Sequence, residues 1–166
     1  ADTIYEFGAG SGRLAADLLS ALDQLETLPT RYVIVELSAS LAQRQREYLQ
    51  QQCPQWLGRV EWLNELPDSI SGLVIGNEVL DAMPCELIHW QEGQPQQRGV
   101  AVVDGAFIWR DQPISEPSLL QLAQCITPAG DYLSEINPIQ RAFIATLGEK
   151  LGQGALLFVD YGFPQR

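Results

Sequence analysis

Three short stretches carry residues whose types and spacing could do chemistry. The first runs from Glu6 to Gly12, "EFGAGSG", an acidic residue followed by glycines at every second position and then by a leucine-rich segment. A glycine-rich turn between a strand and a helix lets a ligand approach the backbone, and the helix N-terminus behind it presents unpaired N–H groups. The second is Glu36, which closes the apolar run Tyr32–Val35 twenty-four residues after Gly12. A carboxylate at such a strand end can accept hydrogen bonds from both hydroxyls of an adenosine ribose. The third is "NEVLDAMP", residues 77–84, in which Asn77, Glu78 and Asp81 follow another apolar run. A plain tight turn, a surface glutamate opening a helix and a turn-capping aspartate would use the same residue types, so each stretch also has a purely structural reading.

The three stretches act together only if the chain brings them to one place, and the pattern around them says how. Ile4–Phe7 reads as a strand, with Gly8, Gly10 and Gly12 in the turn that follows. Leu14, Leu18, Leu22 and Leu25 recur at helical spacing over about 13–26 and predict one buried stripe. "RYVIVEL" is a second strand, apolar enough to be covered on both faces. "SASLAQRQREYLQQQ" is a second helix with Ser38 or Ser40 as its N-cap, "GRVEWL" a third strand, and "SGLVIGNEVLDAMP" a fourth ending near Gly76. From Pro84 to Arg110 the period changes to two. "CELIHWQ", "RGVAVVD" and "AFIWRD", separated by the turn signals "EGQPQQ" and "DG", predict an antiparallel β insertion over about 84–112. Leu119–Ile126 reads as helical. Asn137, Pro138 and Gln140 mark another helix start, with Ile139, Phe143 and Leu147 as its buried stripe and Gly152 at its end. "ALLFVDYG" is the fifth core strand. Strands alternating with helices imply right-handed crossovers and a doubly wound parallel α/β sheet, whose ligands bind beyond the carboxyl ends of the strands. The glycine turn, Glu36, Asn77, Glu78, Asp160 and Tyr161 all follow strands and should share one rim.

Composition narrows the classes of partner. One domain over 1–166 is expected from 166 residues, 46% of them hydrophobic. The apolar run Gly154–Val159 is too short to span a bilayer. No membrane or secretory role is indicated, and a cytoplasmic protein is expected, or a mitochondrial matrix one in a eukaryote. Ten basic against twenty-one acidic residues give a net charge of −11, which repels phosphate backbones and argues against nucleic acid. A cationic ligand or a basic protein surface fits that charge, as does solubility alone. Cys53, Cys85 and Cys125 lack metal-ligand spacing and read as reduced, mostly buried thiols, with no metal site. The lone His89 reads as a surface or packing residue with no chemical role, and Trp56, Trp62, Trp90 and Trp109 as packing residues, with Trp90 and Trp109 available to a partner surface.

Two cofactor classes use a glycine turn of this kind. The nicotinamide fingerprint G-x-G-x-x-G, aligned on Gly8 and Gly10, needs a third glycine where this chain has Arg13. The E-x-G-x-G-x-G form instead resembles motif I of the S-adenosylmethionine (SAM) methyltransferases. Together "YEFGAGSGRLAADLL", "VELSASLAQRQREYL", "GNEVLDAMP", "YLSEINPIQ" and "LLFVDYGFP" resemble, in order and spacing, the MidA-like family of SAM-dependent methyltransferases. That resemblance implies a Rossmann-like methyltransferase sheet, SAM held by Glu6, Gly8, Gly10, Gly12, Glu36 and Asn77, and, from the mitochondrial members, a protein arginine as acceptor. The family's N-terminal flank and last two strands have no counterpart in the chain. A piece of a longer protein is therefore expected, with an open sheet edge that favours weak stability or homo-oligomers.

The same resemblance gives the carboxylates a task. An arginine guanidinium stays protonated near neutral pH and is repelled by a sulfonium. Carboxylates at the rim offset that repulsion and hold the guanidinium fork bidentately. Glu78 and Asp81, three apart in a segment that could begin a helical turn, are the candidate catalytic groups, with Glu135, Asp160 and Tyr161 behind them. Two rival readings remain open: a SAM-binding assembly factor with little turnover, and an NAD(P)-dependent oxidoreductase.

Overall fold

Why the chain takes the elements it does is plain in a computed structural model, which describes residues 2–162. The strands are β1 (Thr3–Phe7), β2 (Arg31–Val35), β3 (Val60–Leu63), β4 (Ile70–Asn77), β5 (Glu86–Gln91), β6 (Gln94–Val103), β7 (Ala106–Gln112), β8 (Tyr132–Ile136) and β9 (Leu151–Val159). The α-helices are α1 (Arg13–Gln24), α2 (Ala39–Gln52), α3 (Pro117–Gln124) and α4 (Pro138–Lys150). Phe163 and Pro164, which close the quoted "LLFVDYGFP", lie outside the described residues. The described residues form two compact units, residues 2–82 with 145–162 and residues 83–144.

In the first unit five strands pair in the order β3-β2-β1-β4-β9, all parallel. The order reverses at β1, where the path turns back from β3 to β4, and this reversal makes a switch point at the carboxyl end of β1. The α1–α2 side of the sheet is packed by Ile4, Ala15, Ala16, Leu19, Tyr32, Ile34 and Leu49. Fully burying a leucine such as Leu19 or Leu49 stabilises the fold by about 2 kcal/mol. Ser38 caps α2 as expected, its Oγ accepting from Leu41 N–H at 3.4 Å. Ser38→Ala should therefore cost about 1 kcal/mol in urea denaturation.

Several elements differ from the sequence pattern. The buried face of α1 is Ala15, Ala16 and Leu19, whereas Leu14 and Leu25 of the expected stripe are exposed. Small alanines let α1 approach the sheet closely, and Leu14, Leu18 and Leu22 instead line an apolar groove of about 260 Å³ against Leu73, Leu157 and Val159. In α4 only Leu147 of the expected stripe is fully buried, and Ile139 is exposed. Gly152 does not end that helix. α4 stops at Lys150, and Gly152 lies inside β9, beside the register shift between Ile70 and Ser71.

The second unit holds an antiparallel sheet in the order β7-β6-β5-β8. Of the presumed turn "EGQPQQ" only Glu92 and Gly93 turn, at φ +50° and +78°, and the rest belongs to β6, where Pro95 pairs with Trp90. Asp104 and Gly105 repeat the same left-handed pair at the next hairpin. Trp90 is not available to a partner: it is fully buried among Ile88, Leu119 and Ile136, and its Nε1–H donates to Ala123 O at 3.1 Å. Trp109 is exposed. Cys53 is buried, but Cys85 and Cys125 are exposed, because they lie before β5 and at the end of α3 rather than on a packed face.

His89 is a buried member of an ionic cluster rather than a surface residue. Its Nδ1 lies 2.7 Å from Asp111 Oδ2 and its Nε2 2.5 Å from Asp131 Oδ1, while Arg98 forks onto Asp111 at 2.6 and 2.8 Å. The hydrogen bonds to Asp111 and Asp131 raise the His89 pKa above its ordinary 6.5, against the opposing effects of burial and Arg98. Arg98 holds the Asp111 carboxyl down at about 2. A raised folded pKa means stability that is fully present below pH 6.5 and lost as pH rises through the folded value. The urea midpoint of the wild type should fall as pH rises above 6.5 through the raised folded value, and His89→Gln should abolish the part of that fall due to the imidazolium.

Candidate active site

The glycine turn sits at the switch point. Gly8, Gly10 and Gly12 take φ of +65°, +53° and +83°, a region closed to most side chains. Gly12 N–H closes the turn on Ala9 O at 2.7 Å, and Gly12 is also the N-cap of α1. A Cβ on Gly8 would lie 2.8 Å from Val79 Cγ2, whereas one on Gly10 would meet nothing nearer than Gly8 O at 4.0 Å. The backbone at Gly10 is therefore open to an approaching ligand. Beneath the turn Glu6 is 1% exposed and accepts a hydrogen bond from the Tyr32 hydroxyl at 2.7 Å. Burial, partly offset by that hydrogen bond, pushes its carboxyl up to about 7. The Tyr32 hydroxyl is raised in turn by burial and by Glu6.

Glu36 stands one residue beyond β2, tied by its own N–H to Leu63 O at 2.8 Å. Its Oε1 accepts from Ser38 N–H at 2.9 Å and its Oε2 from Gln45 Nε2 at 3.0 Å. Beside it opens a cavity of about 290 Å³ lined by Leu37, Arg46, Trp62, Leu63 and Asn64. Leu37 is 79% exposed and offers an apolar face beside the carboxylate, and the Arg46 guanidinium sits 4.6 Å over the Trp62 ring. A carboxylate with free lone pairs, an apolar wall, an amide at Asn64 and a glycine turn that a Cβ would obstruct are the donor and acceptor set an adenosine with an amino-acid tail requires. The residues present fit SAM.

The third stretch leaves β4 abruptly. Glu78 takes φ +52° and donates its N–H to Val159 O at 2.8 Å, so residues 78–81 form a bend and not the helical turn expected from their spacing. Asp160, just after β9, shapes that bend: its Oδ2 accepts from Leu80 N–H at 3.0 Å and Asp81 N–H at 3.2 Å. The Asp81 carboxylate hydrogen-bonds the Tyr161 hydroxyl and raises its pKa. Asn77, Glu78 and Asp81 are all exposed. Glu6, the three glycines, Glu36, Asn77, Glu78, Asp81, Asp160 and Tyr161 thus lie at or just beyond the carboxyl ends of β1, β2, β4 and β9. Glu135 belongs to the second unit, in β8, where it pairs with Leu87 and hydrogen-bonds the Cys85 thiol.

Sequence reasoning missed Leu37, Gln45, Trp62, Leu63 and Asn64. Leu37 and Asn64 follow strands, which is a usable signal. Gln45 carries none, because a glutamine on a helix ordinarily faces water.

The chain matches over residues 2–166 the family described as "Putative S-adenosyl-L-methionine-dependent methyltransferase". Among solved structures it is similar to a native crystal structure of a protein from Burkholderia thailandensis, at 43% identity and TM-score 0.87, over 98% of this chain and 44% of that one. It is also similar to a second crystal structure from Burkholderia thailandensis, of a protein bound to S-adenosyl-homocysteine, at 43% identity and TM-score 0.86, over 98% of this chain and 42% of that one. The chain thus spans less than half the length of these two proteins. No curated protein matches it. With the family match running from β1 through β9, the chain belongs to this family of S-adenosyl-L-methionine-dependent methyltransferases.

Proposed function

We propose that the full-length protein methylates a protein side chain, an arginine of a basic partner, as the MidA-like resemblance implies. The observation that carries this reading is the pair of exposed carboxylates, Glu78 and Asp81, on a bend pinned by Asp160 at the same strand ends as the glycine turn and Glu36. The glycine turn with Asn77 would hold the amino-acid end of SAM and Glu36 the ribose. When bound, SAM supplies an electrophilic methyl group on a sulfonium. The chain's own residues then position the acceptor and balance charge. Glu78 receives the guanidinium fork, Asp81 adds a second negative charge, and a Glu78 carboxylate oxygen accepts the proton that the acceptor nitrogen must lose. Arg13, exposed and 3.5 Å from Asp17, stands where the nicotinamide fingerprint needs glycine, which disfavours the oxidoreductase reading.

The test is transfer of labelled methyl from SAM by the full-length protein to arginine- and lysine-bearing peptides of matched charge. Label on arginine, reduced about tenfold in kcat/KM by Glu78→Gln, is the expected result. Label on lysine alone, or an unaltered rate in the variant, would overturn the assignment. SAM binding without transfer to any peptide would favour the assembly-factor reading.

A further inference from the structure

Gln45 breaks a local rule. It lies in the middle of α2 between the buried Ala42 and Leu49, where an apolar side chain is expected, yet it is itself fully buried. Each hydrogen of its amide is used: Nε2 donates to Gly10 O and to Glu36 Oε2, both at 3.0 Å. Its Oε1 accepts from Trp62 Nε1–H, also at 3.0 Å. An indole can only donate, so Trp62 fixes which end of the amide is oxygen and leaves both N–H groups for the two acceptors. The glycine turn after β1 and the carboxylate after β2 are thereby set at one separation by a single side chain.

The arrangement also determines what Glu36 can still bind. A carboxylate has about four lone-pair sites. One on Oε1 is taken by Ser38 N–H and one on Oε2 by Gln45, which leaves one on each oxygen. Two adjacent free acceptors match two adjacent donors on one ligand, as in a vicinal diol. We propose that Gln45 is a positioning residue that orients Glu36 for the ribose diol and couples it to the glycine turn. This inference rests on the cofactor reading above.

The test compares adenosine with 2′-deoxyadenosine, and S-adenosyl-homocysteine as the tight probe, in calorimetric titrations of the full-length protein, Gln45→Met, Glu36→Ala and the double variant. Gln45→Met keeps the volume and removes every hydrogen bond. In the wild type adenosine should bind about tenfold tighter than its deoxy analogue, and in Gln45→Met the ratio should fall towards one. Gln45→Met should weaken S-adenosyl-homocysteine binding about tenfold in the wild-type background and clearly less in Glu36→Ala, where only the bond to the glycine turn remains to be lost. An unchanged adenosine ratio in a folded Gln45→Met protein, or equal losses in both backgrounds, would overturn the positioning role and leave the cofactor reading intact. Failure of the wild type to bind S-adenosyl-homocysteine would overturn both.

Discussion

Glu36→Ala is expected to weaken binding of SAM about a hundredfold while leaving unfolding of the ligand-free protein nearly unchanged. In the proposed cofactor site the two acceptor positions left free on this carboxylate would serve charge-assisted hydrogen bonds to the ligand, each contributing about 1.5 kcal/mol or more, and about 3 kcal/mol corresponds to two decades in Kd. The fold loses little. Glu36 is only half-buried, water can replace its carboxylate at the half-buried Ser38 N–H and, from the adjoining cavity, at the freed Gln45 N–H, and Gln45 keeps its bonds to Gly10 and Trp62. Calorimetry and a thermal melt on the full-length protein check both halves of the expectation. An unchanged Kd would remove Glu36 from the site, and a collapsed melting temperature would make it a structural residue.

Glu6→Gln should raise stability by about 3 kcal/mol at about pH 8, and by almost nothing at about pH 4. In the folded chain the Glu6 carboxyl titrates at about 7 against an ordinary 4.5, chiefly because it is buried. As pH rises from 4.5 towards 7 the unfolded chain releases this proton while the folded chain keeps it, so stability falls across that window and levels off above it. A glutamine keeps an acceptor for the Tyr32 hydroxyl and has no charge to desolvate. Urea unfolding at several pH values compares the two proteins. Parallel stability curves from pH 4.5 to 7 would show that the buried carboxyl is not the source of the slope. An acidic residue that lowers stability at neutral pH is the kind of local cost that a ligand site imposes on a fold.

What was legible in the sequence followed from periodicity and backbone demand. Three glycines at alternate positions need left-handed φ, so β1, the turn and the start of α1 were predictable together. Glu36 was legible because a charged residue closing an apolar parallel strand must emerge at its carboxyl end. The Asp-Gly hairpin is local turn chemistry, and it formed as read. Other features depend on partners distant in sequence. Gln45 looks like one more polar residue in a glutamine-rich helix until Trp62 and Glu36 are folded against it. His89 draws its partners from residues 98, 111 and 131, and no spacing announces that cluster. β8 was missed because "YLSEI" has exposed Tyr132 and Leu133 and only one fully buried residue, so its strand character comes from pairing with β5. The α1 stripe misled because leucines were weighted over alanines, whereas close helix–sheet approach selects the smaller side chains.

The bend that carries Glu78 and Asp81 has its main-chain ligands on Val159 and Asp160, 79 to 81 residues further along the chain. Every other pairing in the parallel sheet joins strands closer in sequence, so β9 closes the longest loop and pays its entropy last unless the intervening antiparallel unit has already folded and shortened the search. A nascent chain can therefore organise the glycine turn and the Glu36 network before Glu78 and Asp81 are in place. Cofactor affinity should mature earlier in refolding than the acceptor role proposed for this bend, and the order of those two events is written into the strand topology.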